Sequence, residues 1–126
     1  MKKSDFQMWL DKLGKTWVEK DPDAVLNLFD QTIKYFENVL DEPYIGKEKV
    51  YDLWKGVPGS QKDISFNGEI LMTKGNVAIA NWQSKFTKVP SGEIEEIDGV
   101  FLFELNDEGK CILFKQWESV RKLKQK

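Results

Sequence analysis

Histidine is absent from this 126-residue chain. That absence excludes every Ser-His-Asp and Cys-His nucleophile and every imidazole-ligated metal centre. Cysteine occurs once, so no internal disulfide can form. Cys111 has no imidazole to activate it and lies in the apolar run Cys111-Ile112-Leu113-Phe114, which predicts a half-buried structural thiol. Phosphate-cradling loops are also lacking. Gly56 and Gly59 flank Pro58 in KGVPGSQ, which is turn chemistry and neither a Walker nor a dinucleotide motif. No apolar run approaches the roughly 20 residues that span a bilayer. The start Met1-Lys2-Lys3-Ser4-Asp5 has basic charge with no apolar segment behind it, and a cytoplasmic protein is expected. A strong charge of either sign is missing too. The net charge of −2 gives no global attraction to nucleic acid or to an anionic membrane. The terminal run Arg121, Lys122, Lys124 and Lys126 has no interleaved aromatics and reads as a solvated tail. Carboxylates are plentiful but scattered without metal-ligand spacing, so neither a metal nor a cofactor is expected.

What is present suits one domain over residues 1–126. Apolar residues make up 40% and aromatics 13%, enough for a sizeable core. Ser4 with Gln7 has the spacing of a capping box, and Phe6, Trp9, Leu10, Leu13 and Trp17 recur at helical spacing, predicting a helix over 5–19. Asp21-Pro22 restarts the chain as a cap followed by proline, opening a short helix that carries Val25, Leu28 and Phe29. Alternation around Ile33 and Tyr35 predicts a strand near 31–37, with Val39-Leu40 as a short hairpin arm. Val50, Leu53 and Trp54 share a face of a third helix, 47–55, and 55–63 reads as a loop. Four long strands follow: 64–73, 77–88, 93–105 and 110–120. Short turns at Lys74-Gly75-Asn76, Val89-Pro90-Ser91-Gly92 and Asn106-Asp107-Glu108-Gly109 join them into an antiparallel meander. The order ααβ(β)αββββ predicts an α+β fold: a curved antiparallel sheet, cone-like, with three helices covering its concave face.

Three local features carry a family resemblance: Asp21-Pro22-Asp23 before Ala24-Val25, Ile45-Gly46-Lys47-Glu48 opening the third helix, and the Asn106-Asp107-Glu108-Gly109-Lys110 turn. In this order they resemble the nuclear transport factor 2-like superfamily, and within it the SnoaL-like (polyketide cyclase-like) proteins, over roughly residues 5–120. The resemblance implies a cone with a pocket between helices and sheet, and frequent homodimerisation through the outer sheet face. It does not fix function, because the superfamily holds isomerases, cyclases, hydrolases, dehydratases and transport adaptors. A steroid-isomerase-like site needs an Asp base, a Tyr and a protonated acid. The corresponding positions hold Tyr35, Leu13 and Phe101, so that chemistry is not expected, and a histidine-dependent dehydratase is excluded. A SnoaL-type acid survives only at Glu118 or, less readily, Asp41.

Strand alternation sorts the faces. Ile112, Phe114, Gln116 and Glu118 share one face of the last strand; Cys111, Leu113, Lys115 and Trp117 share the other. Ile97, Gly99, Phe101, Phe103 and Leu105 form an apolar face opposite the mixed row Glu96, Asp98, Val100, Leu102 and Glu104. Gly99 inside a strand marks a bulge or a close approach. Ala78, Ala80, Trp82, Ser84 and Phe86 share a face of the second long strand. The expected pocket is lined by Leu13, Trp17, Tyr35, Leu53, Trp54, Trp82, Ser84, Phe101, Phe114, Gln116 and Glu118. Glu118 is either a solvated rim residue or the acid or base of a reaction, with Tyr35 beside it. The tryptophans either frame a cavity or fill it. Glu95-Glu96 read as solvent-facing, and Asp98 as nearer a dimer contact than a site. Three functions stay open: a binder of a small hydrophobic ligand, an isomerase-, cyclase- or hydrolase-type enzyme acting on a small apolar carbonyl or hydroxyl compound, and a dimeric interaction module. A homodimer is expected because Val100, Leu102, Leu113 and Trp117 make the outer face apolar.

Overall fold

The computed structural model describes residues 1–123. The chain folds as α1 (Lys3–Val18), α2 (Pro22–Leu26), β1 (Phe29–Phe36), β2 (Tyr44–Ile45), α3 (Lys47–Trp54), α4 (Val57–Ser60), β3 (Gln61–Lys74), β4 (Val77–Lys88), β5 (Ile94–Leu105) and β6 (Cys111–Leu123). One six-stranded sheet has the order β2-β1-β6-β5-β4-β3. The α+β cone is as expected, and the helices lie over its apolar face. The β3-to-β6 meander is antiparallel, but β1 runs parallel to β6, so the sheet is mixed.

Local chemistry sets the elements. Asp5 caps α1, its carboxylate accepting from the Lys2 N–H at 2.8 Å. The expected Ser4–Gln7 box does not form. Gln7 instead ties α1 to β3, donating to the Gly68 carbonyl (3.0 Å) and accepting from the Ile70 N–H (3.0 Å). Asp21 caps α2, accepting from Ala24 N–H at 3.1 Å ahead of Pro22. The α2 helix stops at Leu26, and Phe29 is the first residue of β1 rather than a helical one. Its burial beside Trp9 at a ring distance of 5.7 Å outweighs the helical spacing that suggested otherwise. The β1 partner is Tyr44–Ile45, not Val39-Leu40, and Leu40 is 90% exposed. The expected loop after α3 holds the short α4, which has proline in its first turn.

The core lies between α1 and the concave face. Phe6, Trp9, Leu10, Leu13 and Trp17 of α1 meet Ile70, Ala80, Trp82, Phe101, Phe103 and Phe114 of the sheet. Each large side chain so buried contributes about 1.5–3 kcal/mol. Gly14 lets α1 lie close on β3: a Cβ there would stand 2.2 Å from the Phe66 ring.

A bulge shifts one face. Glu104 pairs with Leu113 but Leu105 pairs with Cys111, so Ile112 is an extra residue in β6. Alternation without it puts Cys111 outside with Leu113. The bulge turns Cys111 inward, fully buried, and burial pushes its thiol pKa well up. Beyond the bulge, Phe114, Gln116 and Glu118 keep the inward face expected of them. Arg121 and Lys122 are exposed, yet they belong to β6 and pair with Glu96 and Glu93 rather than trailing as a free tail. Lys124 and Lys126 lie outside the described residues. No helix of the described chain is long and apolar enough to cross a membrane.

Candidate functional site

The open end of the cone holds a cavity of about 260 Å³ between α1, α3 and the sheet. The helices contribute Leu13, Trp17, Leu53 and Trp54. The sheet contributes Tyr35, Trp82, Phe101, Phe114, Gln116 and Glu118. Five tryptophans therefore do not fill the cone. Ser84 is the exception among the expected lining residues. It is buried, but its hydroxyl donates to the Ser65 carbonyl at 2.9 Å and serves the β3–β4 pairing.

Three further polar or acidic residues were not expected in the lining: Glu37, Gln61 and Glu95. Glu95 corrects the solvent-facing reading of Glu95-Glu96. It shares the inward face with Ile97 and pairs with Lys88 at 2.9 Å. The signal was available, since two steps back along the alternation from Ile97 reaches Glu95. Glu37 carries the same signal: it lies two residues after Tyr35 in the alternation through Ile33 and Tyr35, although β1 itself ends at Phe36. Asp41 lies outside this cavity, in an adjoining outer groove.

Aromatic faces form the walls. Trp82 stacks on Phe101 (centroids 4.6 Å, 14°) and Tyr35 on Phe114 (4.6 Å, 12°). Trp17 stands perpendicular to Trp54 at 5.7 Å. The Trp17 indole donates to Gln61 Oε1 at 2.8 Å. Trp54 and Trp82 differ: the Trp54 indole is buried against the Tyr35 hydroxyl, whose upward pKa shift it helps hold in check, without reaching good hydrogen-bond geometry, and the Trp82 Nε1 is buried with no acceptor among the described residues. Gly99 explains how Trp82 lies. It is paired with Trp82 on β4 and with Glu118 on β6. A Cβ at Gly99 would stand 2.7 Å from Trp82 Nε1. The indole's nitrogen edge therefore lies over Gly99, on the side of Trp82 that faces Glu118. Of the two readings of Gly99, close approach holds, because the pairing on both sides is unbroken there.

The mouth is acidic. Glu118 is exposed as a whole residue, yet partial burial of its carboxyl raises its pKa, and the charges of Glu37 and Glu95 raise it further. Burial also raises Glu37, opposed by the Tyr44 hydroxyl. Hydrogen bonding to Glu95 raises Lys88. Burial raises the Tyr35 hydroxyl far above its usual range, so Tyr35 can donate a hydrogen bond but not act as a base near neutrality. Gln116 donates to the Glu37 carbonyl at 2.9 Å, which holds the end of β1 to β6 and commits its amide N–H. Chemically the arrangement combines an apolar aromatic chamber, an unpaired indole donor on Trp82 and a carboxylate rim.

The model of the SnoaL-like domain family matches residues 10–113, and the chain belongs to this family. No curated protein matches it in sequence. Several solved structures are similar in fold. The epoxide hydrolase/cyclase-like enzyme SalBIII, described in pyran ring formation in the polyether salinomycin, is 14% identical with a TM-score of 0.78, over 90% of this chain and 89% of its own. A computationally designed 17-OHP binder is 16% identical with a TM-score of 0.76, over 94% of this chain and 97% of its own. An NTF2-like protein of unknown function from Exiguobacterium sp. 255-15 is 19% identical with a TM-score of 0.74, over 88% and 98%. One fold thus serves an enzyme, a binder and a protein without known activity, and function must be argued from the site.

Proposed function

We propose that this SnoaL-like domain binds a small, largely apolar molecule in the open end of its cone. The observation that carries the reading is the indole N–H of Trp82, a cavity-lining residue, which is buried without an acceptor among the described residues. A buried donor left unpaired costs about 1–3 kcal/mol. On a residue that lines the cavity it is a standing demand for an acceptor that the described chain does not meet. A ligand oxygen or nitrogen would meet it while the aromatic walls hold the ligand's body. The volume of about 260 Å³ suits a small compound, near the lower end of the roughly 300–1,000 Å³ common for ligand sites. A thermal-shift screen of small hydrophobic compounds tests this. A ligand at about 100 times its Kd adds about 2.7 kcal/mol, a readily measured rise in Tm. No shift across a broad library overturns the reading.

A second reading, an isomerase-, cyclase- or hydrolase-type enzyme, is supported by the raised pKa of Glu118 at the mouth. A carboxyl whose pKa is lifted toward neutrality suits proton transfer. In that case Glu118 is the acid or base, and Tyr35 is a protonated donor that orients a carbonyl or hydroxyl. Turnover lost in Glu118→Gln with binding retained would favour the enzyme; binding retained with no turnover in wild type would favour the binder.

A homodimer through the outer sheet face is part of the same proposal, whether or not the domain is catalytic. Its support is the outward row of Val100, Leu102 and Leu113 beside Trp117, which is 44% exposed. Light scattering at micromolar concentration should give twice the chain mass, and a monomer overturns it.

A further inference from the structure

We propose that the occupant of the cavity is a small organic cation: an amine or quaternary ammonium with an aromatic or branched apolar body that carries a hydrogen-bond acceptor. The inference rests on the binding reading above and names the ligand class for it.

Charge argues first. Glu37, Glu95 and Glu118 line the cavity, and no lysine or arginine does. Glu95 is matched by Lys88 at 2.9 Å. Glu37 and Glu118 have no ion-pair partner among the described residues. The mouth opens onto an outer groove of about 570 Å³, shared through Glu37, Gln116 and Glu118, to which Asp41 and Glu42 add further carboxylates and no basic side chain contributes. With Glu95 offset by Lys88, the lining of the cavity and groove still carries an excess of negative charge, which concentrates cations and repels anions. The two raised carboxyls at the mouth, Glu37 and Glu118, are held up by burial, and Glu118 also by its like-charged neighbours. A cation between them replaces repulsion by attraction.

The walls argue next. Tyr35, Trp54, Trp82, Phe101 and Phe114 turn aromatic surface to the cavity, and a cation over such faces gains about 0.5–2 kcal/mol. The indole of Trp82 supplies an observation independent of the acids. Trp82 is 2% exposed and its Nε1 is unpartnered among the described residues. Its nitrogen edge lies over Gly99, the residue that pairs on its other side with Glu118. Donor and carboxylate therefore stand on either side of one glycine. A molecule with an acceptor a few bonds from a positive head addresses both. A metal ion does not fit the same place: among the described residues no three carboxylates gather in a metal-holding group.

Three probes of one shape test the class: phenoxyethylamine, phenoxyethanol and phenoxyacetate, which share ring and ether oxygen and differ in head charge. Calorimetric titration at low salt should find the amine about tenfold tighter than the alcohol, with the acetate weakest. The gap should narrow as salt is added. In the Glu37→Gln/Glu118→Gln double variant the amine should lose its roughly tenfold advantage over the alcohol. Phenylpropylamine, with no ether oxygen, should bind wild type more weakly than phenoxyethylamine. An alcohol or acetate that binds as tightly as the amine overturns the cation proposal and leaves the binding reading standing. Binding by none of the probes also overturns the proposal, and the binding reading then stands or falls on the broader screen alone.

Discussion

The two ends of the cone use the same residue types to opposite effect. At the closed end Trp9 stacks on Phe103 (4.6 Å, 26°), meets Phe29 edge-on at 5.7 Å, and donates its indole N–H to the Leu28 carbonyl at 2.9 Å. Phe6, Ile33, Phe103 and Cys111 around that end are fully buried. The core side chains bury one another, and the Trp9 indole donor has its acceptor. At the open end Trp82 is as buried as Trp9, yet its Nε1 has no acceptor among the described residues. Aromatic content alone does not separate core from site. Satisfaction of the polar atoms carried by those aromatics does.

The comparison breaks most visibly under truncation. Trp9→Ala removes a large, almost fully buried side chain and one of the two donors to the Leu28 carbonyl, which keeps the Cys111 N–H. It should cost about 3–5 kcal/mol, read as a drop in the urea midpoint at constant m-value. Trp54→Ala should cost less than half as much, because Trp54 is only partly buried and already borders open space. Equal losses would mean the open end is packed like the closed one.

A smaller effect sharpens the contrast at Gly99. A Cβ there would sit 2.6 Å from the Trp117 carbonyl oxygen and 2.7 Å from the Trp82 indole. Gly99→Ala should cost about 1–3 kcal/mol as overpacking, and it should displace Trp82 and weaken ligand binding. Gly56→Ala is the control, with nothing within 4 Å of the added carbon. A Gly99→Ala protein with wild-type stability and binding would show that the indole's position over Gly99 does not matter.

These two ends were not equally legible in the sequence. The helical spacing of Phe6, Trp9, Leu10, Leu13 and Trp17, and the alternation through Ile97, Phe101 and Phe103, place the core directly, because burial on a regular element leaves a period. The family resemblance fixed the cone. The parallel seating of β1 on β6 left no trace, since a short strand with mixed exposure reads the same beside either neighbour. The bulge at Ile112 also hides in sequence, and it moved Cys111 from the outer face to the core. In the site, the aromatic wall and Gln116 and Glu118 followed from alternation. Ser84 followed the same rule onto the inward face, but its hydroxyl is taken up by Ser65. Glu37 and Glu95 were reachable by the same rule, two steps from Tyr35 and from Ile97, but as carboxylates they read as solvated.

The smallest effect concerns pH. Burial, Glu37 and Glu95 raise the native pKa of Glu118 above its ordinary value of 4.5. A carboxyl whose pKa rises on folding holds its proton more tightly in the native state than in the unfolded one. Its contribution favours folding in acid and is lost as pH rises from the ordinary value through the raised native one. Glu118→Gln keeps the shape and removes the charge, so that loss disappears. The variant and wild type should melt together below the ordinary value of 4.5, and the variant should melt higher near neutrality, by a modest margin because the mouth is open to solvent. The sign is what matters. A wild type that is the more stable of the two near neutrality would mean that a positive group already stabilises the Glu118 carboxylate in the native protein. The open end would then be satisfied by the chain itself, and its likeness to the closed end would be complete.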